Sequence, residues 1–390
     1  MQELLWILLP VAAASGWWAA KRSMAKGCEE ADRLTTPAYF RGLNYLLNEE
    51  PDKAIDVFVQ LLEVDSETVE THLALGSLFR RRGEVERAIR IHQNLIARPA
   101  LPQEQRAQAL LELGMDYMRA GLYDRAENLF LELKEMKLHV RKALENLLIV
   151  YQQEKDWQSC LKTAEELAPL IDEPLSLERS HFYCELAEEA LRKGNRDSAG
   201  KLLRKAASVD THSVRPMHMQ AHMAMEQADC KSAIRLLRQA VEKDAYYLPE
   251  VLPDLMECYR RLSDLPTLRV YLQDFLGNGM DVAVALAITE IITETEDETA
   301  ARVFLSKEMH LHPTLKGLLR LIELNASLPD IQAEQMLLSM KTHVEQLLAE
   351  RPAYQCRKCG FMANTLHWQC PSCRSWGSIR RKSEPEEKQT

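Results

Sequence analysis

Glycine is scarce in this chain, at 14 of 390 residues, and no Gly-rich phosphate loop occurs. A nucleophile elbow and a His-Glu-x-x-His motif are missing as well. Those absences remove the usual sequence marks of phosphoryl transfer, serine-type acyl transfer and zinc proteolysis. A long basic stripe is also lacking, and the formal net charge is -9. Nucleic acid is therefore excluded as the main partner, because phosphate binding needs grouped Lys and Arg. Few stretches alternate β-branched with polar residues, which leaves an all-α body. A dense disulfide framework is absent too. Cys28, Cys160, Cys184, Cys230 and Cys258 are scattered at wide intervals, as suits a reducing compartment.

What is present begins with an apolar start. Residues 4–20 read LLWILLPVAAASGWWAA without a charge. This run sits at the short end of the roughly 17–25 residues needed to span a bilayer. Trp6, Trp17 and Trp18 lie near its ends, where indole rings favour the membrane interface. Lys21, Arg22 and Lys26 follow, and Glu3 precedes. The basic flank predicts a single-pass anchor with the body of the chain in the cytoplasm. A cleaved signal peptide would carry its positive charge before the apolar run, and a buried core helix would lack the abrupt basic stop. Cys28, a lone juxtamembrane cysteine, is read simply as a cysteine.

Behind the anchor, Leu, Ala, Glu, Arg and Gln dominate, and hydrophobic residues make up 46% of the chain. A period near 34 residues runs through this part. Gly42, Gly76 and Gly114 are each followed twelve residues later by Ala54, Ala88 and Ala126, and Ala187 and Ala221 by Ala199 and Ala233. Tyr45, Phe79 and Tyr117 follow the first small residue, while Phe58, His92, Phe130, Leu203 and Leu237 follow the second. Small pairs let two antiparallel helices approach, and the bulky residues are expected to fill the groove towards the next pair. Gly83, Gly121 and Gly194 fall at the helix–helix turns, where a left-handed backbone costs glycine least. The register continues through Leu148, Ala187, Ala221 and Met256, with insertions such as PALPQE and PLIDEPLSLE read as loops. The pattern resembles the tetratricopeptide repeat. Six or seven repeats are readable, the one at 144–170 being degenerate, and helical periodicity persists without the signature from about 285 to 348. Such a stack offers a groove for protein segments and no catalytic residues. His72, His92 and His181 are read as packing or surface residues.

The chain ends in YQCRKCGFMANTLHWQCPSCRSWGSI. Cys356 and Cys359 form one Cys-x-x-Cys turn, and Cys370 and Cys373 form a second after ten residues. Two such turns present four thiolates to a single ion. Gly360 permits the first tight turn and Pro371 stiffens the second. Phe361, Leu366, Trp368 and Trp376 are expected to form a miniature apolar core. So small a segment must draw much of its stability from the metal. Zinc and a single rubredoxin-like iron both suit four cysteines. The Cys-Pro-x-Cys turn is rubredoxin-like, although Arg374 stands where rubredoxins usually have glycine. A closed set of four thiolates points to a structural role.

The expected architecture is thus all-α, a tetratricopeptide-repeat superhelix with an N-terminal transmembrane helix and a four-cysteine metal knuckle. The expected boundaries are anchor 1–20, juxtamembrane linker 21–34, repeat array 35–280, degenerate helical repeats 281–350, rubredoxin-like metal-binding domain 351–380 and tail 381–390.

Taken together, LLPVAAASGWW, LFRRRGEVERAIRIHQNLI and YQCRKCGFMANTLHWQCPSCRSW closely resemble the lipopolysaccharide assembly protein B (LapB/YciM) family over essentially the whole chain. The resemblance implies a non-enzymatic protein of the Gram-negative inner membrane, facing the cytoplasm. It implies an adaptor that helps the membrane protease FtsH degrade the deacetylase LpxC and so restrains lipopolysaccharide synthesis. Implied partners are FtsH, LpxC, an inner-membrane protein that senses lipopolysaccharide, and other lipopolysaccharide assembly proteins; a homodimer stays open. It also implies that the metal domain docks on the repeats, and it carries the ligand roles to Cys356, Cys359, Cys370 and Cys373. The alternative from the residues alone is an iron-binding redox or metal-sensing membrane protein.

Overall fold

Runs of Leu, Ala, Glu and Arg with apolar residues every three to four positions favour helices that bury one stripe each. In a computed structural model of the chain, the described residues are 69–172, 174–276, 281–326, 331–349 and 351–382, with short pieces at 41–42, 44–45, 50 and 53–57. The predicted anchor, the linker and most of the tail lie outside them. Among the described residues, no helix is long and apolar enough to cross a membrane.

Sixteen helices follow in order among the described residues from Val69 onward. They are α1 Val69–Arg82, α2 Val85–Ile96, α3 Gln103–Arg119, α4 Tyr123–Glu135, α5 Val140–Glu154, α6 Trp157–Leu167, α7 Ser176–Arg192 and α8 Arg196–Val209. Then come α9 Arg215–Glu226, α10 Cys230–Lys243, α11 Leu248–Arg261, α12 Leu265–Gln273, α13 Asp281–Thr295, α14 Glu298–Leu311, α15 Leu315–Ala326 and α16 Ile331–Ala349. Three short strands close the chain: β1 Tyr354–Cys356, β2 Met362–Ala363 and β3 Ile379–Arg381. The body is therefore helical, as expected, with strands confined to the cysteine segment. The residues divide into two units, one drawn from 1–159 with 165–171 and the other from 160–164 with 172–390.

The turns report the repeat register. Gly83, Gly121 and Gly194 have φ of +89, +75 and +76°. Lys155, Ala228 and Ser263 occupy the same place in their hairpins and hold φ of +59, +59 and +54° without being glycine. Each of the six lies seven residues after Gly76, Gly114, Leu148, Ala187, Ala221 or Met256. The hairpin geometry thus imposes the left-handed turn even where the side chain disfavours it. In several hairpins the next residue caps the second helix: Asp156, Asn195 and Asp229 accept from the amides of Ser159, Ser198 and Ser232 at 3.1 Å each.

In the first unit, α1 with α2 and α3 with α4 form hairpins around the small residues. A Cβ on Gly76 would meet His92 Nε2 at 2.4 Å, and one on Gly114 would meet Phe130 Cε1 at 2.5 Å. The bulky residues therefore cover the glycine of their own hairpin, which differs from the expected filling towards the next one. The reason is that a glycine leaves a hole directly opposite them. His92 does both: its Nδ1 lies 2.5 Å from Asp116 Oδ2 on α3, with both side chains fully buried. Arg80 from α1 reaches Asp116 at 2.8 Å and Glu112 at 2.7 Å, so the buried carboxylate is paired.

In the second unit, α7 with α8 and α9 with α10 repeat the hairpin, and α11 continues the stack. Its largest core joins Leu237, Leu248, Leu255, Leu268, Ile288 and Ile291. The strands form one antiparallel sheet in the order β2-β1-β3, with Tyr354 opposite Ala363 and Arg381.

Candidate metal centre

The two Cys-x-x-Cys turns are built alike. After the first, the Gly360 amide donates to the Cys356 carbonyl at 3.0 Å; after the second, the Arg374 amide donates to the Cys370 carbonyl at 2.8 Å. Gly360 has φ +76°, and Arg374, an L-residue, is held at +59°. The departure from the rubredoxin pattern at Arg374 thus leaves the turn intact.

These turns bring together all four cysteines singled out by spacing. Their sulfurs lie within 4.8 Å of one another, with Cys356–Cys373 and Cys359–Cys370 each at 3.7 Å. A tetrahedral ion bonded to sulfur at about 2.3 Å sets sulfur–sulfur distances near 3.8 Å. The set therefore fits one metal ion, and zinc and iron share that geometry. Cys356 and Cys370 are buried, while Cys359 and Cys373 are exposed. Burial opposes ionisation of Cys356, but the Ser378 hydroxyl and the amides of Cys359 and Lys358 outweigh it and bring the thiol down to about 6. Burial dominates at Cys370 and pushes it up to about 11. Hydrogen bonds from Ser375 lower Cys373. A bound cation stabilises all four as thiolates.

The miniature core differs from expectation. Tyr354, Cys356, Cys370 and Ile379 form it, with Phe361 and Leu366 against them. Trp368 and Trp376 instead face the helices. Trp376 stacks on His181 of α7 with ring centroids 4.8 Å apart, and Trp368 stacks on Tyr247, just before α11, at 5.6 Å. Arg215 at the start of α9 lies beneath both indoles, 5.6 and 6.0 Å from their rings. Its guanidinium is almost fully buried and pairs with Glu185 at 2.8 Å and Glu188 at 2.7 Å. Around this patch Tyr354 donates to Glu250 at 2.7 Å, and Arg380 pairs with Asp244 at 2.8 Å. Burial and the Glu250 carboxylate push the Tyr354 hydroxyl up to about 12. The metal knuckle is thus docked on three successive hairpins of its unit.

His181, read from sequence as a packing or surface residue, packs at this interface. Arg215, Tyr247 and Glu250, the other helical residues that meet the knuckle, are not legible in the sequence as such, since each occupies an ordinary helical position. A further trio has no motif that marks it as a site: His218 and His222 on α9 meet Asp254 on α11. Its signal is a His pair four residues apart.

Comparison with known proteins follows the same lines. A family described as rubredoxin metal binding domain matches residues 354–381, and the tetratricopeptide repeat family matches 71–106. The chain is 38% identical over 382 residues to lipopolysaccharide assembly protein B of Escherichia coli (strain K12), covering 97% of this chain and 98% of that one. It is 33% identical over 399 residues to lipopolysaccharide assembly protein B of Haemophilus influenzae, covering 99% and 100%. Among solved structures, the C-terminal part of a TPR repeat-containing protein from Cytophaga hutchinsonii is similar at 12% identity and a TM-score of 0.39, covering 71% of this chain and 96% of that one.

Proposed function

Because the chain belongs to the lipopolysaccharide assembly protein B family, we propose that it is a non-enzymatic adaptor that restrains lipopolysaccharide synthesis by presenting LpxC to the FtsH protease. The observation that carries this reading is the docked knuckle. A metal domain packed by two tryptophans onto three hairpins of a repeat stack is a binding surface held in one shape, and four cysteine ligands leave an ion no open coordination position for a substrate. In this reading residues 1–20 anchor the chain in the inner membrane with its bulk on the cytoplasmic side. The anchor raises the effective concentration of the repeats beside a membrane protease. It also gives a lipopolysaccharide-sensing membrane partner a segment to engage.

The test is the half-life of LpxC in cells. With Cys356→Ser and Cys359→Ser together, LpxC turnover is expected to slow while the protein is still present. Normal turnover with a metal-free protein sinks the role given to the knuckle. Deleting residues 1–20 is likewise expected to slow turnover, and an equally active soluble form refutes the tether. A redox reading draws on the rubredoxin-type description of the domain. It requires a coloured, reversibly reducible iron, so a colourless zinc-loaded chain with normal LpxC turnover dismisses it.

A further inference from the structure

We propose that His218, His222 and Asp254 form a second metal site, for a divalent ion of the zinc class, on the face made by the first helices of two successive hairpins. His218 and His222 stand four residues apart on α9, so their side chains are neighbours on one helix face. Asp254 comes from α11, the first helix of the next hairpin. His218 Nε2 lies 2.9 Å from Asp254 Oδ2, His222 Nε2 lies 3.1 Å from the same oxygen, and the two Nε2 atoms are 3.2 Å apart.

Three donor atoms therefore form a near-equilateral triangle. An ion held at roughly 2.0–2.1 Å from nitrogen and oxygen spaces its ligands about 3.3–3.4 Å apart in a tetrahedron and about 2.9 Å apart on an octahedral face. The observed edges fall at or between those values, so binding needs shifts of only a few tenths of an ångström. Hydrogen bonding alone serves the triangle less well. Each imidazole carries at most one proton on Nε2, so no protonation state places a proton along all three edges. Both rings also converge on one carboxylate oxygen rather than taking one each. A single cation at the centre satisfies all three atoms at once.

The trio is reachable. The side chains are 22, 53 and 18% exposed for His218, His222 and Asp254, so an ion enters from solvent and water completes its coordination. The helices beneath are fixed, since Ala221 and Leu255 are fully buried in the shared core. Two neutral nitrogens and one carboxylate oxygen suit zinc and its neighbours better than calcium or magnesium, which prefer oxygen. None of the three residues takes part in the knuckle docking.

The test titrates Zn(II) into the full-length chain against a chromophoric chelator, with total metal counted per chain. Wild type is expected to hold two ions. Cys356→Ser with Cys359→Ser is expected to keep one weaker ion at the trio, whereas His218→Ala and His222→Ala keep only the knuckle ion. Losing one of three ligands is expected to weaken the second equivalent at least about tenfold. His222→Gln, which preserves size and solubility at a half-exposed position, guards against misfolding and is expected to behave as His222→Ala does. One ion per wild-type chain overturns the proposal, as does a second ion whose affinity ignores both histidines.

Discussion

Arg374 holds φ +59° where the paired turn has Gly360 at +76°. A left-handed conformation is strained for a residue with a Cβ, and the Arg374 side chain is exposed. Arg374→Gly is therefore expected to stabilise the knuckle by about 0.5–1 kcal/mol after allowing for the looser unfolded chain. Slower metal loss to a chelator is the readout, and faster loss contradicts the strain argument. His181 carries a second residue-scale prediction. Burial, with Arg215 beside it, lowers its pKa to about 3 from an ordinary 6.5. The docked state needs the neutral ring, whereas an undocked ring takes up a proton first. Docking stability is thus fully present above about pH 6.5 and is lost as pH falls from there towards about 3. Between pH 7.5 and 5.5 the metal-loaded knuckle is expected to lose about 1 kcal/mol of docking stability, read as hydrogen-exchange protection at 354–381. His181→Phe keeps a ring against Trp376 and should remove that increment; an unchanged pH dependence counts against it.

At the scale of the helical hairpin, glycines split by what faces them. Gly76→Ala drives a Cβ to 2.4 Å from His92, in a site already tied to Asp116. It is expected to cost about 1–3 kcal/mol by overpacking. Gly200→Ala on α8 meets only the far end of Arg204 at 3.8 Å, and is expected to stabilise by up to about 1 kcal/mol through helix propensity. Thermal unfolding of the two variants gives the sign of each. The repeats were legible for the same reason that these two glycines differ. Close helix contacts demand small residues, so Gly76, Gly114 and Ala187 mark hairpins in sequence. The degenerate hairpin at Leu148 was legible only through the register, and its left-handed Lys155 agrees with it. The four cysteines were legible because one ion fixes their spacing. The docking face was not. Trp368 and Trp376 look like core residues of a small domain, and their partners His181, Arg215 and Tyr247 belong to distant hairpins with no local mark.

Across the second unit, the knuckle joins hairpins that a repeat stack otherwise links only to their neighbours. Chelating the metal is expected to unfold residues 354–381 while leaving most helical signal in far-UV circular dichroism. Hydrogen exchange should rise along α7 near His181 and at the start of α11 near Tyr247. Unchanged exchange there shows that the knuckle lies on the hairpins without bracing them. The stacking of Trp376 on His181 also has a temporal side. Trp376 is synthesised about 195 residues after His181, which at 5–20 residues per second is a delay of roughly 10–40 s. From the synthesis of Tyr247, about 129 residues before Trp376, the patch around His181, Arg215 and Tyr247 is complete without its cover for roughly 6–26 s of that interval. The residues that close the patch are therefore made well after it, and a ribosome stalled before Cys356 leaves an open patch for chaperones to meet.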